Sequence, residues 1–233
     1  MKTVFFDLDD TLYSRGQPFV EAAGICFGEQ GLDYYAVYLA CVKRGNEKFQ
    51  ASQTGEMTMD AYNIYRYGKG FADMGFPISD AEALRFREEY QRRQKNVVLS
   101  PTVREILERG SRSAGKVGIL TNGTTIDQWS KIRVMGIERY CARDWIVVSG
   151  DVGVDKPDLR IFRHVEALTG RKPEELVYVG DSLTHDIIPA RAAGWQAVWF
   201  NRRRAPLRSD CIPDFTVQAE EELLSVLKSI YEA

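Results

Sequence analysis

No run of about 18 consecutive apolar residues occurs in the 233-residue chain, so a membrane-spanning helix is not expected. Charge of one sign is also missing: 31 Lys and Arg face 33 Asp and Glu, a net charge of -2. Such a balance gives no global positive field to draw in nucleic acid or an anionic membrane, and neither partner is expected. Cysteine is sparse. Cys26, Cys41, Cys141 and Cys211 are dispersed without a Cys-x-x-Cys pair, which argues against a disulfide framework or a zinc site and fits reduced thiols. The opening segment lacks the uninterrupted apolar stretch of an export signal, because Asp7, Asp9 and Asp10 interrupt it at once. The expected compartment is cytoplasmic. Repeats and low-complexity tracts are absent too. What is present is an ordinary globular composition, 44% hydrophobic and 27% charged. At ~150 residues per domain, the length suits one core plus a smaller insertion.

Short β-rich runs recur at Thr3 to Phe6, Val117 to Leu120, Ile146 to Val148, Leu176 to Val179, Ala197 to Phe200 and Phe215 to Val217. Helical patterns separate the later ones: Ser100-Pro101 opens one, Gly136 closes the next, and the stripe Leu159, Phe162, Val165 stops at Gly170. Near-continuous apolar strands alternating with helices predict an α/β fold, a doubly wound parallel sheet covered on both faces. The sheet starts at residue 3 and resumes near 117, a gap too long for a structureless loop. Within it, Phe19 to Phe27, Tyr34 to Phe49, Thr58 to Phe71 and Ala81 to Gln94 read as helices, the last behind a Ser79-x-x-Glu82 capping box. The predicted organisation is a core of residues 1–15 and 96–233 interrupted by a helical insert of residues 16–95.

In an open parallel sheet ligands bind beyond the carboxyl ends of the strands, so the residues leaving each strand are the candidates for chemistry. They are Asp7, Asp9 and Asp10, then Thr121-Asn122-Gly123, then Ser149, then Asp181 with Asp186 beyond. Carboxylates crowded at one rim repel each other unless a hard divalent cation sits among them, and Mg²⁺ held by Asp7, Asp9, Asp181 and Asp186 resolves the conflict. Lys156 adds a fixed positive charge suited to a phosphoryl group. Two carboxylates spaced as Asp7-x-Asp9 can divide the labour of phosphoryl transfer. Asp7 attacks phosphorus, and Asp9 protonates the leaving alcohol and then activates water. Thr121, Asn122 and Lys156 would hold the phosphoryl oxygens.

Taken in order, Asp7-Leu8-Asp9-Asp10-Thr11, Leu120-Thr121-Asn122-Gly123, Lys156-Pro157-Asp158 and Gly180-Asp181-Ser182-Leu183-Thr184-His185-Asp186 resemble the four motifs of the haloacid dehalogenase-like hydrolase superfamily. The resemblance runs from residue 3 to about 217, and the insert is similar to that superfamily's type-one cap. It implies a Rossmann-like core with an inserted helical cap, and a Mg²⁺-dependent phosphatase acting on a small phosphorylated metabolite through an aspartyl-phosphate. Dehalogenation of 2-haloacids, phosphomutase activity and a receiver-like phosphorylation switch are the alternatives. Asp9 argues against the first, and the long insert together with Asp9 argues against the last. The leaving group and the oligomeric state stay open.

Other features admit plainer readings. Asp10 and Ser182 suit turn or capping positions, Asp186 suits a helix cap as well as a metal ligand, and His185 suits an exposed helix start. The insert holds seven of the eleven tyrosines, expected to pack between helices rather than to stack on a base. Gln50 to Thr58 reads as a polar loop, and Arg202-Arg203-Arg204 as a solvated loop or a second anion site.

Overall fold

The computed structural model describes residues 2–207 and 210–232. In chain order the elements are β1 (Thr3–Phe6), α1 (Gly16–Phe27), α2 (Tyr34–Gln53), α3 (Met59–Asp73), α4 (Asp80–Gln94), α5 (Pro101–Arg112), β2 (Val117–Thr121), α6 (Thr125–Met135), β3 (Ile146–Val148), the single turn α7 (Ser149–Val152), α8 (Leu159–Thr169), β4 (Leu176–Gly180), α9 (Ile188–Ala192), β5 (Gln196–Phe200), β6 (Phe215–Val217) and α10 (Glu220–Glu232). They divide into two compact units, an α/β unit of Met1–Tyr13 with Val98–Ala233 and a helical unit of Ser14–Val97. Among the described residues no helix is long and apolar enough to cross a membrane.

The α/β unit is built on one six-stranded sheet in the order β3-β2-β1-β4-β5-β6, with every pairing parallel. Val4 lies opposite Val117 on one side and Val177 on the other, so β1 is central and fully buried. One face carries Phe5, Leu120, Tyr178 and Trp199, packed with Ile161, Phe162 and Val165 of α8 and with Trp195. Phe162 meets Tyr178 and Trp195 edge to face, with centroids 5.6 and 5.3 Å apart. Local signals place the helices. Ser100 Oγ accepts from Val103 N at 3.1 Å with Pro101 in the first turn of α5, and Gly170, at φ 65°, closes α8.

The helical unit contains α1 to α4. The expected capping box forms: Ser79 N donates to Glu82 Oε2 at 2.8 Å and Glu82 N to Ser79 Oγ at 3.3 Å. The expected loop from Gln50 is shorter, because α2 continues to Gln53 before Thr58 caps α3. Phe19 stands at the centre, with ring centroids 4.7 Å from Phe86, 5.5 Å from Tyr38 and Tyr90, and 6.0 Å from Phe71. Tyr38, Tyr62, Tyr67 and Tyr90 are buried here, whereas Tyr35 keeps 39% of its surface exposed. Phe19→Ala is expected to destabilise the helical unit by about 3 kcal/mol in chemical denaturation, from lost burial plus the cavity left behind.

Candidate active site

The central strand decides where the site lies. The chain crosses from β1 to β2 on one side and β4 on the other, which opens a crevice at the carboxyl ends of these three strands. Asp7 leaves β1, Thr121 ends β2 and Asp181 leaves β4 at that rim. Asp7 N donates to Val179 O at 2.9 Å, so the backbone at Asp7 is still held by the sheet.

Lys156 is the hub. It is 3% exposed, and its Nζ donates to Asp7 Oδ1 at 2.8 Å, to Asp186 Oδ1 at 2.6 Å and to Tyr178 Oη at 2.6 Å. Tyr178 in turn donates to Leu120 O at 2.6 Å. The Lys156 backbone is clamped by the Asn122 side chain, which accepts from Lys156 N and donates to Lys156 O, both at 2.8 Å. Asn122 therefore fixes Lys156 through its amide. Asp186 sits in one wide helical turn, Leu183–Ile187, and accepts from Ser182 N at 2.9 Å. Ser182, not Asp186, caps that turn, by accepting from His185 N at 3.2 Å. A Cβ on Gly180 would lie 2.5 Å from the Asp186 carboxylate, so only glycine lets that carboxylate approach the end of β4.

Asp7, Asp181 and Asp186 each bring a carboxylate oxygen within 4.8 Å of the others. Burial, with Asp186 and Asp9 nearby, pushes Asp7 up to about 7 despite the opposing Lys156. Burial and Asp10 hold Asp181 well above the ordinary carboxylate range, against the pull of Arg203. Lys156 is driven above its usual value: burial opposes its charge, but Asp186 and Asp7 outweigh it. Three clustered carboxylates, two buried and one half-buried, that repel one another in the ionised state fit a hard divalent cation.

The Asp9 carboxylate stands outside that group. It accepts from Lys131 Nζ at 2.8 and 3.0 Å, from Gln128 Nε2 at 3.0 Å and from the Tyr13 hydroxyl. Of the four aspartates expected from the sequence to share a metal, Asp7, Asp181 and Asp186 lie together, while lysine, amide and phenol donors surround the Asp9 carboxylate. Gln128 also donates to Thr121 Oγ1 at 2.7 Å and to Asn122 O at 2.8 Å, tying the end of β2 to Asp9.

A family model for haloacid dehalogenase-like hydrolases matches residues 1–194. The chain belongs to this family. This hydrolase is 36% identical over 134 residues to the glyceraldehyde 3-phosphate phosphatase of Methanopyrus kandleri, a match covering 56% of the chain and 55% of that protein. The chain thus aligns with only about half the length of that relative. It is 28% identical over 253 residues to the N-acylneuraminate-9-phosphatase of Mus musculus, covering 99% of the chain and 95% of that protein. In fold it is similar to the putative hydrolase YfnB from Bacillus subtilis, solved bound to magnesium, with a TM-score of 0.72 at 24% identity over 97% of this chain and 98% of that one.

Several neighbours of the acids escape sequence reasoning about this hydrolase. Gln128 and Lys131, three apart on α6, are visible only as polar residues on a helix that follows a motif. Tyr178 is concealed within an apolar strand. Arg203 and Arg204 are exposed, as a solvated loop predicts, yet Arg203 also pairs with Asp10 and, at 3.1 Å, with Asp181, and the half-buried Arg202 donates to Glu220 at 2.8 Å and to Thr11 O at 3.2 Å. Asp10 adopts φ 61° and is buried, while His185 and His164 are exposed.

Proposed function

We propose that this hydrolase cleaves small-molecule phosphomonoesters, with Asp7 as nucleophile and Asp9 as proton carrier. The observation that carries the reading is the Asp7 carboxylate, buried at the sheet rim and hydrogen-bonded to Lys156 beside Asp186. An Asp7 oxygen attacks phosphorus while the bond to the leaving oxygen breaks, and Asp9 delivers the proton that oxygen needs. Water then attacks the aspartyl-phosphate, Asp9 takes its proton, and phosphate departs with Asp7 restored. Lys156 and Thr121 hold phosphoryl oxygens as charge spreads, and Asn122 keeps Lys156 aimed. Asp7, Asp181 and Asp186 would hold Mg²⁺, which when bound neutralises the approach of anion to anion. The helical unit Ser14–Val97 is the cap that selects the leaving group, as the differing substrates in the relatives' names suggest.

The test is phosphate release from a panel of phosphorylated metabolites with Mg²⁺, with EDTA, and with Asp7→Asn as the blank. Release that is unaffected by both EDTA and the substitution would sink the reading; 2-haloacid dehalogenation would be marked by halide release without metal. Lys131 and Gln128 act by positioning Asp9. Lys131→Met is expected to lower kcat about 10- to 100-fold with KM little changed, and Lys131→Arg to restore part of it.

A further inference from the structure

Two cations are set among the carboxylates at the rim of the sheet. Lys156 takes Asp7 and Asp186, and the Asp181 carboxylate is not among its partners. Asp181 belongs to Arg203, whose Nη2 lies 3.1 Å from Asp181 Oδ2 and also reaches Asp10 Oδ2. Trp199 Nε1 donates to Asp181 O at 2.9 Å and so fixes the main chain there. Apart from the Arg203 pair, no described residue holds the Asp181 side chain through a hydrogen bond or ion pair.

The loop that presents Arg203 is closed on itself and fastened to the rim. Asn201 N donates to Val217 O, its side-chain amide donates to Ala205 O, and its side-chain oxygen accepts from Ala205 N, all at 2.8 Å. Arg202 donates to Thr11 O at 3.2 Å, beside Asp10, and its guanidinium carbon lies 4.1 Å from the Phe200 ring centroid. Asp10, buried and at φ 61°, thus braces the guanidinium from the side of β1. Asp7, Asp10, Asp181 and Asp186 carry four formal negative charges, and Lys156 and Arg203 carry two positive ones. The remaining two are what one divalent cation balances.

Arg203 can act on a cation at Asp181 in two opposite ways. It repels the cation through space, and it holds the carboxylate in one orientation so that less freedom is lost on binding. Partners that hydrogen-bond to metal ligands ordinarily raise affinity, which makes the second effect the larger. We propose that Arg203, braced by Asp10, is a positioning residue of the divalent-cation site, holding Asp181 ready for the metal. The proposal rests on the metal set of the phosphatase reading above.

The test is calorimetric titration of the full-length chain, freed of metal, with Mg²⁺ alone, for the wild type, Arg203→Gln, Arg203→Lys and Asp10→Asn. Arg203→Gln is expected to weaken binding about 10- to 100-fold. Arg203→Lys, which keeps the charge without the fork, should fall between, and it carries the comparison if the glutamine variant folds poorly. Asp10→Asn should weaken binding in the same direction, because it takes the brace from Arg203 while asparagine still suits a positive φ. The Mg²⁺ concentration for half-maximal phosphate release should rise by the same factor, and added Mg²⁺ should recover activity in a way that general damage to the fold would not allow. Affinity within about threefold of the wild type in both Arg203 variants, or tighter binding in either, overturns the proposal. No uptake of Mg²⁺ by the wild type overturns it together with the metal set. The titration contains no substrate, so a failure to release phosphate from any metabolite counts against the phosphatase reading and leaves the result for Arg203 standing.

Discussion

Replacing Asp7 by asparagine is expected to lower phosphate release by about four orders of magnitude or more, the scale on which loss of a nucleophile operates. The same substitution is expected to stabilise the metal-free protein. Asp7 is pushed up to about 7 by burial and by Asp186 and Asp9, so its ionisation inside the fold is unfavourable. A carboxylate whose folded value is raised withdraws stability as pH climbs from its ordinary value near 4 toward 7. Thermal unfolding in EDTA should therefore show Asp7→Asn melting above the wild type at pH 8, with the gain largely gone at pH 5. Equal melting at the two pH values would show that the carboxylate is not strained by its surroundings.

Lys156→Ala is expected to act in the opposite direction on stability. It leaves Asp7 and Asp186 facing each other with their shared cation removed, and breaking a buried ion pair from one side costs about 3–5 kcal/mol. The loss should be larger at pH 8 than at pH 5, because at the lower pH Asp7 takes up a proton instead. Turnover should fall about 100- to 1,000-fold, as for removal of one fixed donor to a phosphoryl oxygen. Urea denaturation at both pH values with a phosphate assay checks both effects; a loss of stability that did not vary with pH would contradict the arrangement.

Much of this architecture is legible in the chain. The six strands occur where short apolar runs predict them, because a parallel sheet buried on both faces demands such runs, and Asp7, Asp181 and Asp186 converge because each lies just past a strand end or one turn further on. What is not legible depends on side-chain direction. Asp9 is separated from Asp7 by one residue, yet it turns to Gln128 and Lys131 on α6, a partnership that sequence spacing does not encode. Arg203 is exposed, as three successive arginines suggest, but the loop after β5 also returns to the rim and brings its guanidinium onto Asp181, a pairing that spacing does not encode. Tyr178 illustrates a third case: an aromatic in a buried strand whose hydroxyl still needs a partner finds it in Lys156 and Leu120.

The central position of β1 also bears on how the molecule comes to be folded. Val4 pairs with Val117 and Val177, so the first strand synthesised cannot complete its hydrogen bonds until the whole helical unit and most of the α/β unit have followed it. Folding of the sheet is therefore dominated by contacts distant in sequence, which are slow to form, whereas α1 to α4 can associate as soon as they emerge. Until its neighbours arrive, a buried apolar strand with both edges open is the segment of this chain most exposed to mispairing.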